Sequence, residues 1–103
     1  MAKRGTDDPR LWGDDLSATA RRHLAALYDE NPFLALLGVR VIEAGRGRVQ
    51  LEAEVRHAFT NVYGVAHGAI AMALADTAMG AACFSCDRRA MTLDMGMNFL
   101  RPL

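Results

Sequence analysis

The chain of 103 residues carries twelve Lys and Arg against twelve Asp and Glu, a formal net charge of zero. With no Lys/Arg run to track a phosphate backbone or an anionic membrane, nucleic acid and membrane are disfavoured as partners. The length holds one small domain with a modest core, burying about two-thirds of its unfolded surface.

The charged opening Met-Ala-Lys-Arg-Gly-Thr-Asp-Asp-Pro lacks the apolar centre and small-residue cleavage site of a secretory signal, which makes the cytoplasm the expected location. Residues 1–15, with Pro9, Gly13 and four Asp residues, read as a flexible lead-in, and residues 16–103 as the domain. From 16 to 30, Leu16, Ala20, Leu24, Leu27 and Tyr28 recur at helical spacing, with Asp14 or Asp15 as cap; Asn31-Pro32 stops the helix. A short apolar turn or half-helix over 33–37 ends at Gly38, and 39–44 reads as a strand reversed by Gly45-Arg46-Gly47. Val49, Leu51, Ala53 and Val55 then alternate with polar residues, so the pair predicts a β-hairpin with one wet face.

A polar segment, 57–65, leads into the most apolar stretch of the chain, 66–86, expected to be a long buried helix. In the last segment, 90–100, Met91, Leu93, Met95, Met97 and Phe99 alternate with polar residues and predict a further strand, its Met residues filling core. The sum is α+β, a helix packed on an antiparallel sheet.

Asp76 stands in the middle of the apolar stretch. An ionised carboxylate there costs several kcal/mol or more unless it is paired, hydrogen-bonded or wetted by a cleft, which marks it as functional. Its charge, and the dominance of Ala and Gly over Leu and Ile, also argue against a membrane span. Cys83 and Cys86 form a lone Cys-x-x-Cys near the helix end with no second pair and no nearby His, so they read as structural thiols and no metal site is expected.

Asn61, Gly64, His67, Gly68 and Ala69 precede Asp76 at short spacing. Gly64 permits a tight turn, and Gly68 at a helix start leaves an approachable N–H where free donors and the macrodipole favour a developing oxyanion. Nine helical residues separate His67 from Asp76 by ~13.5 Å, at ~1.5 Å and ~100° each, and turn them to opposite faces. If both serve one site, Asp76 comes from a neighbouring subunit, giving a two-fold dimer with two composite sites. Taken singly, each residue has a plainer role: His67 as a helix cap, Asn61 and Gly64 as turn residues, Gly68 as room for close packing, Asp76 as a helix residue at a wet interface. His23 and His57 read as surface residues, and Asp94 as lying on a polar strand face.

Phe33-Leu-Ala-Leu-Leu-Gly-Val, Asn61-x-x-Gly-x-x-His67-Gly68, Leu74-Ala-Asp76-Thr-Ala and Thr92-Leu-Asp-Met-Gly-Met-Asn-Phe-Leu-Arg-Pro102 together resemble the hotdog-fold acyl-CoA thioesterases of the PaaI-like type, relatives of phenylacetyl-CoA and hydroxybenzoyl-CoA thioesterases. The resemblance covers about residues 31 to 103. It implies a hotdog fold and hydrolysis of an aromatic or medium-chain acyl-CoA by a homodimer or homotetramer, with no metal and no cofactor beyond the coenzyme A of the substrate. It implies that Gly68 N–H polarises the thioester carbonyl, that His67 supports that loop or assists it, and that Asn61 orients the water or the thioester. Asp76 from the partner would act as general base or as nucleophile. Thr92 matches a hydroxyl position near the carboxylate, and Gly64 and Ala69 fall on the substrate side. Ala69 stands where the family commonly has a second Gly, which narrows the pocket. The chain stops at Leu103, where family members continue with further strands, so it looks C-terminally truncated. The alternative is a hotdog protein that binds an acyl or aromatic ligand without turnover, or an inactive fragment. A hydratase lacks the expected acid/base pair, and thiol chemistry at Cys83 or Cys86 has little support.

Overall fold

The computed structural model of the chain describes residues 6–103. The first helix, α1 (Ala18–Asp29), starts at Ser17, whose Oγ accepts the Ala20 N–H at 3.0 Å. Ser17 is thus the cap expected at Asp14 or Asp15. Asp15 is engaged across the fold, accepting from the Arg46 N–H at 3.1 Å and from the Arg48 guanidinium at 2.8 Å. Ala20, Leu24 and Tyr28 recur every four residues and form the buried stripe of α1.

Asn31 closes that segment and opens the next. Its Oδ1 accepts from the Phe33 and Leu34 N–H groups at 3.1 and 3.3 Å, Pro32 takes the first helical position, and α2 (Pro32–Leu37) ends at Gly38 with φ 68°. The predicted hairpin follows as β1 (Arg40–Gly45) and β2 (Arg48–Glu52), antiparallel, with Arg40 opposite Glu52 and Gly45 opposite Arg48. A bulge between Val41 and Glu43 breaks strict alternation, so Ile42 and Glu43 both face outward while Val41 and Ala44 stay buried.

The long helix, α3 (Gly68–Ser85), lies across β2 and α1. The fold is α+β as the sequence predicts, a helix on a two-stranded antiparallel sheet. Leu24, Tyr28, Leu34, Val39, Val41 and Ala81 lie in its core. Ser85 ties α3 to the hairpin: its fully buried Oγ accepts the Gly47 N–H at 2.7 Å and donates to the Ala82 carbonyl at 2.6 Å.

Three expectations change. Order does not wait for Asp15: Pro9–Leu11 forms a 3-10 turn, Leu11 and Trp12 are buried, and Trp12 Nε1 donates to the Thr6 carbonyl at 3.0 Å. The Gly13 N–H donates to the Ala44 carbonyl at 2.8 Å, tying this segment to β1. Two large apolar side chains outweigh the polar company around them. Residues 1–5 of the expected lead-in lie outside the described residues.

The strand over 90–100 does not form; the segment runs without regular structure, with Met91 96% and Leu93 99% exposed. Alternation says which side chains seek cover, but a strand also needs a neighbour to accept and donate along its length. Here the sheet is β1 and β2.

The long helix is also less buried than expected. Only Ala81 and Ser85 of α3 are fully covered, and Met79 is exposed. Its length and mean hydropathy of 1.3 are those of a membrane span as well, whereas Ile70, Ala73, Leu74 and Phe84 pack against the domain core.

Candidate functional site

The loop before α3 is built around Asn61. Its Oδ1 accepts from the Tyr63 N–H at 2.9 Å and the Val65 N–H at 3.4 Å, while its backbone accepts from the Gly64 N–H at 3.0 Å and donates to the Val65 carbonyl at 2.9 Å. Gly64 has φ 77°, the left-handed conformation that a side chain would strain, so its role in the turn is real. Thr60 bridges Ala66, and the His67 N–H donates to the Phe59 carbonyl at 2.7 Å. The loop delivers its chain to the helix start in one geometry.

His67 is the cap of α3: its Nδ1 accepts the Ala69 N–H at 3.0 Å, and its carbonyl accepts the Ile70 N–H at 3.0 Å. Acceptance at Nδ1 leaves the neutral ring's proton on Nε2. The plain reading of His67 is therefore met, and it is compatible with support of the loop. Among the described residues Gly68 N–H enters no hydrogen bond, so one helix-start donor is unpaired.

Phe99 lies against Gly68. A Cβ added there would stand 2.9 Å from Phe99 Cζ and 3.2 Å from Cε2, so Gly68 is also the space into which that ring packs. Asn61, Tyr63, Gly68, Phe99 and Arg101 line a cleft of about 470 Å³. A more apolar cavity of about 560 Å³, lined by Val55, Gly64, Ile70 and Leu74, shares Val65, Ala66 and Leu103 with it. The two volumes are in the range of small-molecule sites. Neither His67 nor Ala69 lines them, and Ala69 contributes its N–H to the cap with its side chain exposed.

Asp76 is half-buried and accepts a hydrogen bond from the Thr92 hydroxyl. The two line a separate cavity of about 290 Å³ with Asn31, Thr77, Phe84 and Met91. No residue lines both this cavity and the Gly68 cleft. Within one chain the structure thus places Asn61 with Gly68 and Asp76 with Thr92, and leaves the two pairs in separate cavities.

The remaining candidates carry no chemistry of their own. Cys83 and Cys86 are half-buried free thiols. His23 is exposed with its ring edge-on to Phe84, and His57 and Asp94 are exposed. Among the described residues no group of three His, Cys, Asp or Glu side chains is placed to hold a metal ion. Asn31, Tyr63, Thr77, Phe99 and Arg101 are among the lining residues that sequence reasoning did not single out. Asn31 announced itself only as a helix stop, and Phe99 only as one apolar position in an alternating run.

Residues 63–103 match the family model described as Thioesterase superfamily. No curated protein matches the chain significantly. The fold is similar to that of a thioesterase family protein from Silicibacter pomeroyi, with a TM-score of 0.73 and 28% sequence identity over 81% of this chain and 63% of that one. The chain therefore spans less than two-thirds of that protein's length. The likeness identifies the architecture as the thioesterase hotdog fold.

Proposed function

We propose that this protein hydrolyses acyl-CoA thioesters, aromatic or medium-chain, in the manner of the PaaI-like hotdog enzymes. The sites are composite, two in a homodimer or four in a homotetramer of the cytoplasm. Gly68 N–H donates to the thioester oxygen as negative charge grows there, with Asn61 and His67 holding its loop and Gly64 on the substrate side, while Ala69 serves the helix cap through its N–H. Asp76 of a second copy, oriented by Thr92, takes a proton from water as the water oxygen bonds to the carbonyl carbon. The C–S bond then breaks and CoA leaves as thiolate. In the other route the carboxylate itself attacks the carbonyl carbon, the C–S bond breaks with CoA leaving as thiolate, and water then hydrolyses the mixed anhydride to the free acid and the carboxylate. Neither route needs a metal, nor a cofactor beyond the coenzyme A of the substrate.

The observation that carries this reading is the division of Gly68 and Asp76 between two separate cavities of one incompletely covered helix. The test is CoA release, followed with a thiol reagent, from phenylacetyl-CoA, hydroxybenzoyl-CoA and a medium-chain acyl-CoA. Wild-type release that Asp76→Ala abolishes supports the reading, and release that survives the substitution sinks the role of Asp76. The second reading, an acyl or aromatic ligand carrier or an inactive fragment, is favoured by the use of Asn61 Oδ1 and His67 Nδ1 as internal acceptors. Ligand binding without release from a folded chain would establish the carrier.

A further inference from the structure

Asn31 lines the same cavity as Asp76 and Thr92, although it lies 45 residues before Asp76 and belongs to another element. Its side chain has two unlike ends. The Oδ1 end is fixed by the Phe33 and Leu34 N–H groups at 3.1 and 3.3 Å, and two donors converging on one atom identify that atom as the oxygen. The Nδ2 end is on the other arm of the planar carboxamide and carries two N–H donors. It enters no hydrogen bond among the described residues. The cap therefore fixes the orientation of a free donor on a residue that lines the same cavity as Asp76, the one charged residue of that lining.

That cavity, at about 290 Å³, has room for several water molecules at roughly 30 Å³ each. Its polar lining consists of Asn31 and Thr77, with Asp76 and Thr92 joined to each other. Thr92 spends its one hydroxyl hydrogen on the carboxylate, so it does not orient the oxygen on which the carboxylate acts. Nδ2 and the Thr77 hydroxyl are the donors left on that lining, and of the two only Nδ2 has its orientation fixed by hydrogen bonds at the other end of its side chain.

We propose that Asn31 is part of the reacting centre of Asp76, donating from Nδ2 to the oxygen atom of the water that the carboxylate deprotonates. This rests on the hydrolase reading above and deepens it. The donor fixes the water's lone pair toward the thioester carbon and stabilises the hydroxide character that builds as its proton passes to Asp76.

The experiment separates the two ends of the side chain. Asn31→Ser and Asn31→Asp both keep an oxygen acceptor for the helix cap but present no Nδ2 donor. Steady-state CoA release from phenylacetyl-CoA and octanoyl-CoA, with thermal melts alongside, is measured for wild type, both variants and Asp76→Ala. The expected result is a kcat loss on the order of tenfold to a hundredfold in both variants, with KM nearly unchanged and the melting temperature held. Wild-type kcat in either folded variant overturns the role of Asn31 while leaving Asp76-dependent hydrolysis standing. A wild-type protein with no Asp76-dependent release overturns the hydrolase reading and this one with it. Loss of melting temperature in step with kcat in both variants assigns Asn31 to the cap alone and overturns the proposal.

Discussion

Thr92 donates its hydroxyl hydrogen bond to Asp76 Oδ1, joining the unpaired segment after α3 to the one carboxylate of that helix. A hydrogen bond to a charged group contributes about 1.5–3 kcal/mol, which is on the order of tenfold to a hundredfold in rate if it acts on the reacting carboxylate. Thr92→Val keeps the shape of the side chain and removes the donor. It is expected to lower kcat for CoA release by that factor, less than Asp76→Ala, with Thr92→Ser restoring most of the rate. Equal rates for the Val and Ser variants would remove Thr92 from the site.

Gly68 serves two ends that substitution can separate. Gly68→Ala puts a methyl 2.9 Å from Phe99 Cζ but keeps the N–H. The ring is 48% exposed and can give way, and Ala gains about 1 kcal/mol over Gly in helix propensity, so stability should change little. Gly68→Pro adds the same crowding and deletes the N–H at a helix position where Pro is favoured. The preceding His67, at φ −67° and ψ 133°, already has the extended backbone that Pro requires. Kinetics and melts of the two variants side by side should show both folded, with the Pro variant slower than the Ala variant by about a hundredfold or more if the N–H holds the oxyanion.

The cap at His67 has its own signature. Loss of the side chain in His67→Ala frees the Ala69 N–H and should cost about 1 kcal/mol in a denaturant melt, whereas His67→Asn restores a capping acceptor and most of that stability. Activity that returns with His67→Asn marks a purely structural histidine. Activity that stays low while stability returns marks a second role for the ring.

Much of this was open to a reader of the sequence, and the exceptions share a cause. Helical spacing located α1 and α3, and Gly45 and Gly47 located the hairpin. Those signals are local and periodic. Trp12 in the core, Phe99 on Gly68 and Asn31 in the cavity of Asp76 bring distant segments together, which no local pattern encodes. The strand expected over 90–100 failed for the complementary reason: its pattern is local, but its hydrogen bonds depend on a neighbour. Asp15 gave up the expected cap because two donors of the hairpin turn, not a helix N–H, reach its carboxylate.

That engagement makes Asp15 a reporter of acid stability. The Arg48 guanidinium, and after it the Arg46 N–H, hold its carboxyl below the usual range. A folded value under the unfolded one of ~3.9 means that the unfolded chain binds more protons between the two, so the link is present above that pH and fades as pH falls through the folded value. Asp15→Asn should flatten the acid limb of a urea-melt series between about pH 2 and 5 and leave the neutral limb parallel to wild type. An unchanged acid limb would show that the Asp15 contacts do not distinguish folded from unfolded chain.

The proposed composite site makes a prediction that no single-chain site shares. In a dimer of Asp76→Ala with Gly68→Pro, one site combines both defects and the other combines neither, because each site takes Gly68 from one copy and Asp76 from the other. Two inactive proteins, denatured together and refolded, should therefore regain activity. Random pairing makes half of the dimers mixed, each with one intact site of two, so about a quarter of the wild-type activity is the expected ceiling. Refolded separately and then assayed as a fresh mixture, they should show none until subunits exchange. If Gly68 and Asp76 of one chain served one site, every site in the mixture would carry a defect and no rescue would occur on any timescale. The time course of CoA release after mixing thus distinguishes the two arrangements, and its slow phase reports the rate of subunit exchange.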